Sequence, residues 1–334
     1  MNLFKDIFGP LDKRECVHCG SPHIVKNGKQ RNGSQEYICN NCGKRFNARA
    51  GTLFYNKKLP DKDIVDIIYL FFTGYPISLI PPLKKVSETT IRSILRDVIE
   101  HFEKFESMKK ITSDYIPEAI EVDEIYIKIQ GGHQIFFGWV AYDPVNKYII
   151  DIVTGKRDDE TLEKLFKKLS IYRGKVDLVL IDGYEGYKKF ITKYLGKTRK
   201  KPLTGVINKS KFDKNTNKYL TYALFGKTRK NVEDMISKLG IGNEISTALI
   251  ERLNRDFRDS SPYLKRRTCR IPRLLEWGML SLLGIKTIHN FVKAHGTLSV
   301  KSSKNWIVEH ITPAMKAGIS GRVCGIADIF SCHV

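Results

Sequence analysis

Two sets of side chains in this 334-residue sequence have types and spacings that do chemistry. The first is sulfur. Cys16-Val-His-Cys19 and Cys39-Asn-Asn-Cys42 are separated by 19 residues, the pattern in which each C-x-x-C turn presents two thiolates to one tetrahedral Zn2+. Gly20 and Gly43 follow the second Cys of each pair, where a knuckle turn calls for positive φ. Four thiolates complete the coordination shell, so zinc held by Cys16, Cys19, Cys39 and Cys42 shapes a surface and activates nothing. His18 and His23 are left unassigned. A pair of disulfides would require an oxidising compartment, and nothing in the chain signals export. Cys269, Cys324 and Cys332 stand alone and are expected to be small hydrophobes.

The second set is oxygen. Asp123 lies inside a run of alternating character, Glu121-Val-Asp-Glu-Ile-Tyr126, and Asp182 ends the apolar run 176–181, just before Gly183. The C-terminal ends of strands are where open α/β sheets collect ligand-binding groups. If the two strands are neighbours, these carboxylates sit a few ångströms apart, which is costly unless a divalent cation separates them. Each Asp taken alone reads as a cap, a turn residue or a solvated charge. Glu251 belongs to a helical segment in which Ile245, Leu249, Leu253 and Phe257 form an apolar stripe, while Glu251, Arg255 and Arg258, with Asn254 beside them, line the other side. That side reads either as a solvated Glu–Arg face or as a carboxylate aimed at metal beside arginines aimed at phosphate.

The elements that must hold these groups follow from periodicity. Segments 23–26 and 35–38 read as strands around an Asn32-Gly33 turn, giving a zinc ribbon over 13–58 whose surface carries Lys26, Lys29, Arg31, Lys44, Arg45 and Arg49. From 59 to 104 the spacing is helical. Ile64, Ile67, Ile68, Phe71 and Phe72 precede a break at Gly74-Tyr75-Pro76, a second helix starts at Ile77, and a third starts at Ser87 with Ile91, Ile94, Leu95, Val98 and Ile99 on its stripe. Such a set is expected to be a helix-turn-helix offering Arg92 and Arg96 to a DNA groove, or a plain helical spacer. Pro81-Pro82 cannot lie in a helix interior, so the second helix must be short, kinked or displaced. Residues 105–118 read as a linker.

Beyond it the period becomes two. Strands are expected at 121–129, 134–142 and 148–153, with turns at Gly131-Gly132 and Asp143-Pro144. A helix over Asp159–Leu169 and a buried strand at 176–181 follow. Together they describe an α/β sheet of mixed strand direction, spanning 119–300 with a basic insertion at 196–242 and a C-terminal tail at 301–334. The segment 274–283 is expected in the core.

The blocks Glu121-Val-Asp-Glu-Ile-Tyr126, Leu180-Ile-Asp-Gly-Tyr184 and Ile250-Glu-Arg-Leu-Asn254 with Arg258 resemble the three catalytic blocks of bacterial and archaeal insertion-sequence transposases of the DDE, retroviral-integrase-like superfamily. Members with an N-terminal zinc ribbon and helix-turn-helix are the more similar ones. Cys42-Gly-Lys-Arg-Phe46, Gly51-Thr52 and Thr312-Pro-Ala-Met-Lys-Ala-Gly318 extend the resemblance over most of the chain. It implies an RNase H-like fold, catalytic Asp123, Asp182 and Glu251 holding Mg2+ or Mn2+, and phosphate contacts from Asn254, Arg255 and Arg258. It also implies double-stranded DNA as partner (transposon ends and target), a homo-oligomer of at least two copies, and a cytoplasmic, nucleoid-associated location in a prokaryote. The alternatives are a non-catalytic DNA-binding regulator and a metal-dependent nuclease that cuts without joining.

Charge agrees with a polyanionic partner. Lys+Arg number 57 against 36 Asp+Glu, a formal +21, and the excess is clustered: residues 1–60 hold 11 basic and 4 acidic side chains, and 195–235 hold 11 and 3. With 42% hydrophobic residues the chain can bury a sizeable core, which excludes a disordered tail. The greasiest windows, 64–72 and 274–285, carry Asp66 and Glu276 and fall short of the ~18 apolar residues of a bilayer span, so a soluble intracellular protein is expected. Gly-Lys-Thr-Arg-Lys occurs at 196–200 and 226–230 but lacks the glycine spacing of a nucleotide loop, so no use of ATP is expected.

Overall fold

The computed structural model describes residues 15–30, 35–47, 49–129, 135–197, 201–214, 218–226, 228–265, 271–301 and 308–332. The expected Asn32-Gly33 and Gly131-Gly132 turns, Arg31, Cys269 and parts of both Gly-Lys-Thr-Arg-Lys repeats lie outside these residues. The chain forms two compact units, Met1–Lys109 with Cys324–Val334, and Lys110–Val323. No helix among the described residues is long and apolar enough to cross a membrane.

The first unit begins with an antiparallel three-stranded ribbon, β1 (Ile24–Lys29), β2 (Gln35–Cys39) and β3 (Arg45–Asn47), in that order. Its small core is Cys16, Tyr37, Cys39, Phe46 and Ala50, with the Tyr37 and Phe46 rings stacked 5.8 Å apart. Three helices follow: α1 (Asp61–Phe72), α2 (Ile80–Lys84) and α3 (Glu88–Ile111). The double proline does not break α2. It occupies the first turn, where backbone N–H groups have no intrahelical acceptor, so their loss removes no bond.

Two expectations change here. Residues 105–111, expected in a linker, are the last turns of α3, and Phe105 and Glu106 are buried, because the apolar stripe continues past Phe102. The end of the expected C-terminal tail belongs to this unit as α9 (Ile326–Phe330). Phe330 stacks on Phe102 at 5.8 Å, its carbonyl accepts the Leu53 N–H, and His101 Nε2 bonds the Ile329 carbonyl at 2.7 Å.

The second unit is built on a six-stranded sheet. Its strands are β4 (Ala119–Lys128), β5 (Ile135–Asp143), β6 (Tyr148–Gly155), β7 (Leu178–Asp182), β8 (Leu203–Asp213) and β9 (Lys218–Phe225), in the order β6-β5-β4-β7-β8-β9. β4, β7 and β8 run parallel, while β5, β6 and β9 are antiparallel to their neighbours. This mixed sheet is consistent with an RNase H-like fold. The segment expected as a basic insertion supplies β8 and β9, so it is part of the sheet.

The helices packed with this sheet include α4 (Asp159–Leu169), α5 (Gly186–Phe190), α6 (Arg229–Lys238), α7 (Ala248–Ser260) and α8 (Leu275–Thr287). α4 starts where the sequence places it, because the Asp158 carboxylate accepts the Thr161 N–H at 2.9 Å. α8 is core, with Trp277, Leu280 and Leu282 buried. It lies close on the sheet because two contacts are glycine: a Cβ on Gly138 of β5 would stand 2.7 Å from Leu282, and one on Gly278 would stand 2.8 Å from Ile127.

α8 also carries a buried cation. Lys286 is 3% exposed and lies 3.5 Å from Asp151 of β6, whose carboxylate is also 3.4 Å from Lys168 and 3.8 Å from Lys110. Burial opposes ionisation of Asp151, but Lys286, Lys110 and Lys168 outweigh it and hold the carboxyl well below the usual range. Asp151→Asn strands the buried ammonium, so unfolding in urea should show a loss of about 3–5 kcal/mol, restored largely by adding Lys286→Met. A second prediction concerns His289, whose Nε2 bonds the Lys147 carbonyl at 2.8 Å. Burial lowers its imidazole to about 4, so the folded state binds the proton less well than the unfolded chain does. Its contribution is complete above the unfolded value of ~6.5 and lost as pH falls through about 4. His289→Gln, which keeps a donor, should reduce the loss of unfolding free energy between pH 6.5 and 4, measured by urea titration at each pH, by about 3 kcal/mol.

Candidate metal centres and catalytic cleft

The four ribbon cysteines converge. Their sulfurs all lie within 4.8 Å of one another, with Cys16–Cys42 at 3.6 Å and Cys19–Cys39 at 3.7 Å. A tetrahedron with ~2.3 Å Zn–S bonds has edges of roughly 3.8 Å, so the donors present fit one zinc ion. Gly20 and Gly43 have φ of +70° and +68°, the left-handed conformation that glycine adopts without the strain an L side chain would bear. Burial raises the Cys39 thiol, but the N–H groups of Cys42 and Asn41 and the adjacent sulfurs more than offset this and hold it at about 6. The group could bind zinc.

The acidic site grows from the register of two parallel strands. Val122 of β4 pairs with Ile181 of β7, so Asp123 and Asp182 emerge side by side. A carboxylate oxygen from each of Asp123, Glu124 and Asp182 lies within 4.8 Å of the other two, three hard donors that could bind a divalent metal. Burial raises the Asp123 carboxyl, with Asp182 adding to the rise and Lys209 opposing it. Burial also pushes Glu124, whose side chain is 7% exposed, up to about 7, although Arg157 Nε donates to it at 2.7 Å. Arg157 also stands 4.0 Å from Asp182 and 5.3 Å over the Tyr184 ring.

α7 is fixed over β4 by two acids. The buried Glu121 carboxylate accepts the Ile250 N–H at 2.7 Å in the first turn of α7, where a helix offers unpaired donors. Burial lifts this carboxyl to about 8 despite that bond. One turn on, Asn254 Nδ2 donates to Asp123 Oδ2 at 3.0 Å. Asn254 was expected beside a phosphate-facing surface, yet it is 2% exposed and its amide is committed to the carboxylate. The turn that carries it faces the sheet, because Ile250, Leu253, Asn254 and Phe257 form the buried side of α7.

Glu251 stands apart from the three clustered acids. Its Oε1 accepts from Lys209 Nζ at 2.8 Å and from Thr247 Oγ1 at 3.0 Å, and its side chain is 47% exposed. Lys209 links the two parts. Burial opposes its charge, but Asp123, Glu251 and Asp182 together raise its pKa above the ordinary value. A bulge aims this lysine: Asn208 pairs with Leu220 and Phe212 with Tyr219, so Lys209, Ser210 and Lys211 have no residue opposite. Ser210 N and Oγ both donate to Asn208 Oδ1, at 3.1 and 2.6 Å, tightening the kink. Beside the acids opens a cleft of about 810 Å3 whose walls include Arg157, Lys189 and Lys209.

Arg255 is exposed on α7, and Arg258, in its last turn, is half-buried. In the first unit Lys44, Arg45 and Arg96 are exposed, whereas the Arg92 guanidinium is engaged by Glu88, Nε to Oε1 at 2.9 Å. Sequence reasoning missed Glu121, Glu124, Arg157 and Lys209. Glu124 and Glu121 lie in view in the first acidic block, but strand alternation puts Glu124 on the face opposite Asp123, so the pattern carries no signal that the two share a site.

No protein-family profile matches the chain, and no curated protein matches it. Among solved structures, the crystal structure of a pre-cleavage Mos1 transpososome aligns with 70% of this chain and 80% of that chain, at 10% identity and a TM-score of 0.19.

Metal analysis of the purified protein should find one zinc per chain. Cys39→Ser combined with Cys42→Ser should lower this to a tenth or less, with proteolysis then starting within residues 15–50.

Proposed function

We propose that this protein is a DNA transposase that binds the ends of an insertion element, cuts a strand at each end and joins it to target DNA. The observation that carries this reading is the meeting of Asp123, Glu124 and Asp182 on adjoining strands at the edge of a cleft into which Arg157, Lys189 and Lys209 bring positive charge beside Asp159 and Glu185, with the helix that bears Glu251 bonded to the same Asp123. The resemblance of the three acidic blocks to DDE transposases supplies the reaction class.

In this reading Asp123, Glu124 and Asp182 hold Mg2+ or Mn2+, and Glu251 completes the set from α7 when Lys209 releases it. Bound there, the divalent metal would supply the Lewis acidity that turns water, and then a 3′-hydroxyl, into the nucleophile and neutralises charge on the phosphodiester. The chain's own groups do the rest. Asn254 orients the Asp123 carboxylate toward the cluster, and Glu121 holds α7 in the register that makes this possible. Arg157, fixed on Glu124 and the Tyr184 ring, turns its remaining donors to a phosphate in the cleft. Arg255 and Arg258 contact the backbone of the same DNA, and Arg92, Arg96, Lys44 and Arg45 contact double-stranded DNA from the first unit. Nothing in this scheme requires a covalent enzyme intermediate. Acting on two ends calls for at least two copies.

The test is purified protein with Mn2+, a labelled duplex ending in the element's terminal sequence, and plasmid. Joined product is the expected result. Asp182→Asn should reduce joining by at least about a hundredfold while leaving duplex affinity within a factor of two. Cleavage without joining would make the protein a nuclease and binding alone a regulator, while joining retained in Asp182→Asn would discard the site.

A further inference from the structure

Lys209 explains only part of the basic stretch around β8 and β9. From the bulge onward the two strands continue as a hairpin with, among its described residues, Lys209, Lys211, Lys214 and Lys218 against one acid, Asp213. Lys209 faces Glu251 and Lys218 faces Glu244 at 2.6 Å, while Lys211 and Lys214 are exposed. Phe212 and Tyr219 lie directly opposite each other in the ladder with rings edge to face, centroids 5.2 Å apart. They are nevertheless 47% and 45% exposed.

Cross-strand aromatic pairing alone steadies a hairpin, but it does not need rings left half in water among lysines. Exposed aromatic faces beside a cationic track are what stack unpaired nucleobases, since every base has a π-face and every linkage a negative charge. A second copy of the chain pairing along the free edge of β9 would be an isologous contact. That contact is the competing use of the same exposed rings.

We propose that the β8–β9 hairpin binds single-stranded DNA, with Phe212 and Tyr219 stacking on an unpaired base and Lys211 and Lys214 meeting the flanking phosphates. The proposal rests on the cleft being a DNA site. β8 leads from cleft-lining Asn208 to Phe212 in four residues, a reach of at most roughly 13 Å at ~3.3 Å per residue. That corresponds to about four base steps at ~3.4 Å each. The hairpin therefore grips bases a few nucleotides from the phosphate that Arg157 meets in the cleft, where a strand must leave its duplex.

Fluorescence anisotropy with a blunt duplex and the same duplex carrying an oligo-dT overhang tests this. The wild-type protein should bind the overhang form more tightly. Phe212→Leu with Tyr219→Leu keeps an apolar pair across the hairpin and should erase that preference, roughly a tenfold loss, with blunt-duplex affinity unchanged. Tyr219→Trp should retain the preference and show quenched indole fluorescence on the overhang duplex. Equal affinity of the wild type for both duplexes, or a preference retained in the double Leu variant, overturns the proposal. So does a dimer in sedimentation that the double Leu variant dissolves, which would assign the rings to self-association. The overhang preference should persist in Asp182→Asn. A preference without any strand cleavage by the wild type would keep the hairpin's role and remove the catalytic one.

Discussion

The second unit depends on one electrostatic constraint: carboxylates that repel one another are held together where water is scarce. Parallel pairing of β4 with β7 places Asp123 beside Asp182, and Glu124 joins them within 4.8 Å. Burial raises Asp123 and Glu124, the direction expected of acids denied both solvent and a full complement of cations. Such an arrangement is stable only with positive charge close by. Arg157 and Lys209 supply it from the chain itself, and hard divalent cations match the same oxygens.

That constraint organises the neighbouring elements. α7 has no freedom to slide, because the Glu121 carboxylate caps its first turn and Asn254 binds Asp123 one turn later. Gly138 and Gly278 bring α8 close to the sheet, and the buried Lys286–Asp151 pair pins it there. The β8 bulge turns a lysine into the acids and sends an aromatic hairpin beyond them. A bulge costs ladder bonds, and here those bonds are exchanged for a cation delivered to a defined point. The acids in turn select which cations stay: Lys209 neutralises Glu251 without entering the three-acid cluster.

The first unit applies different physics to a small core. Five residues inside the ribbon bury little apolar surface for three short strands, and the four convergent sulfurs could bind a zinc ion that would supply the remainder. The helices after it are held by an ordinary apolar stripe, to which Phe330 from the far end of the chain contributes a stacked ring.

Local chemistry was legible in the sequence wherever it is local in space. The knuckle glycines and the helix over 159–169 follow from rules that span three or four residues, and the structure agrees with them, while Pro81-Pro82 implied only that the second helix is short, kinked or displaced. The apolar stripes of α1 and α3 were readable for the same reason, since periodicity is a property of neighbours along the chain. The expected adjacency of Asp123 and Asp182 required only that two apolar strands lie side by side. What the sequence could not supply was anything fixed by approach from a distant segment. Whether Asn254 faced solvent or a carboxylate depended on where Glu121 anchored α7, and the third clustered acid proved to be Glu124 with Glu251 tied to Lys209. Residue types and spacing determined the kinds of chemistry available, because those are covalent facts; tertiary structure decided which groups meet, because that depends on strand order, a bulge and the burial that only the folded chain creates.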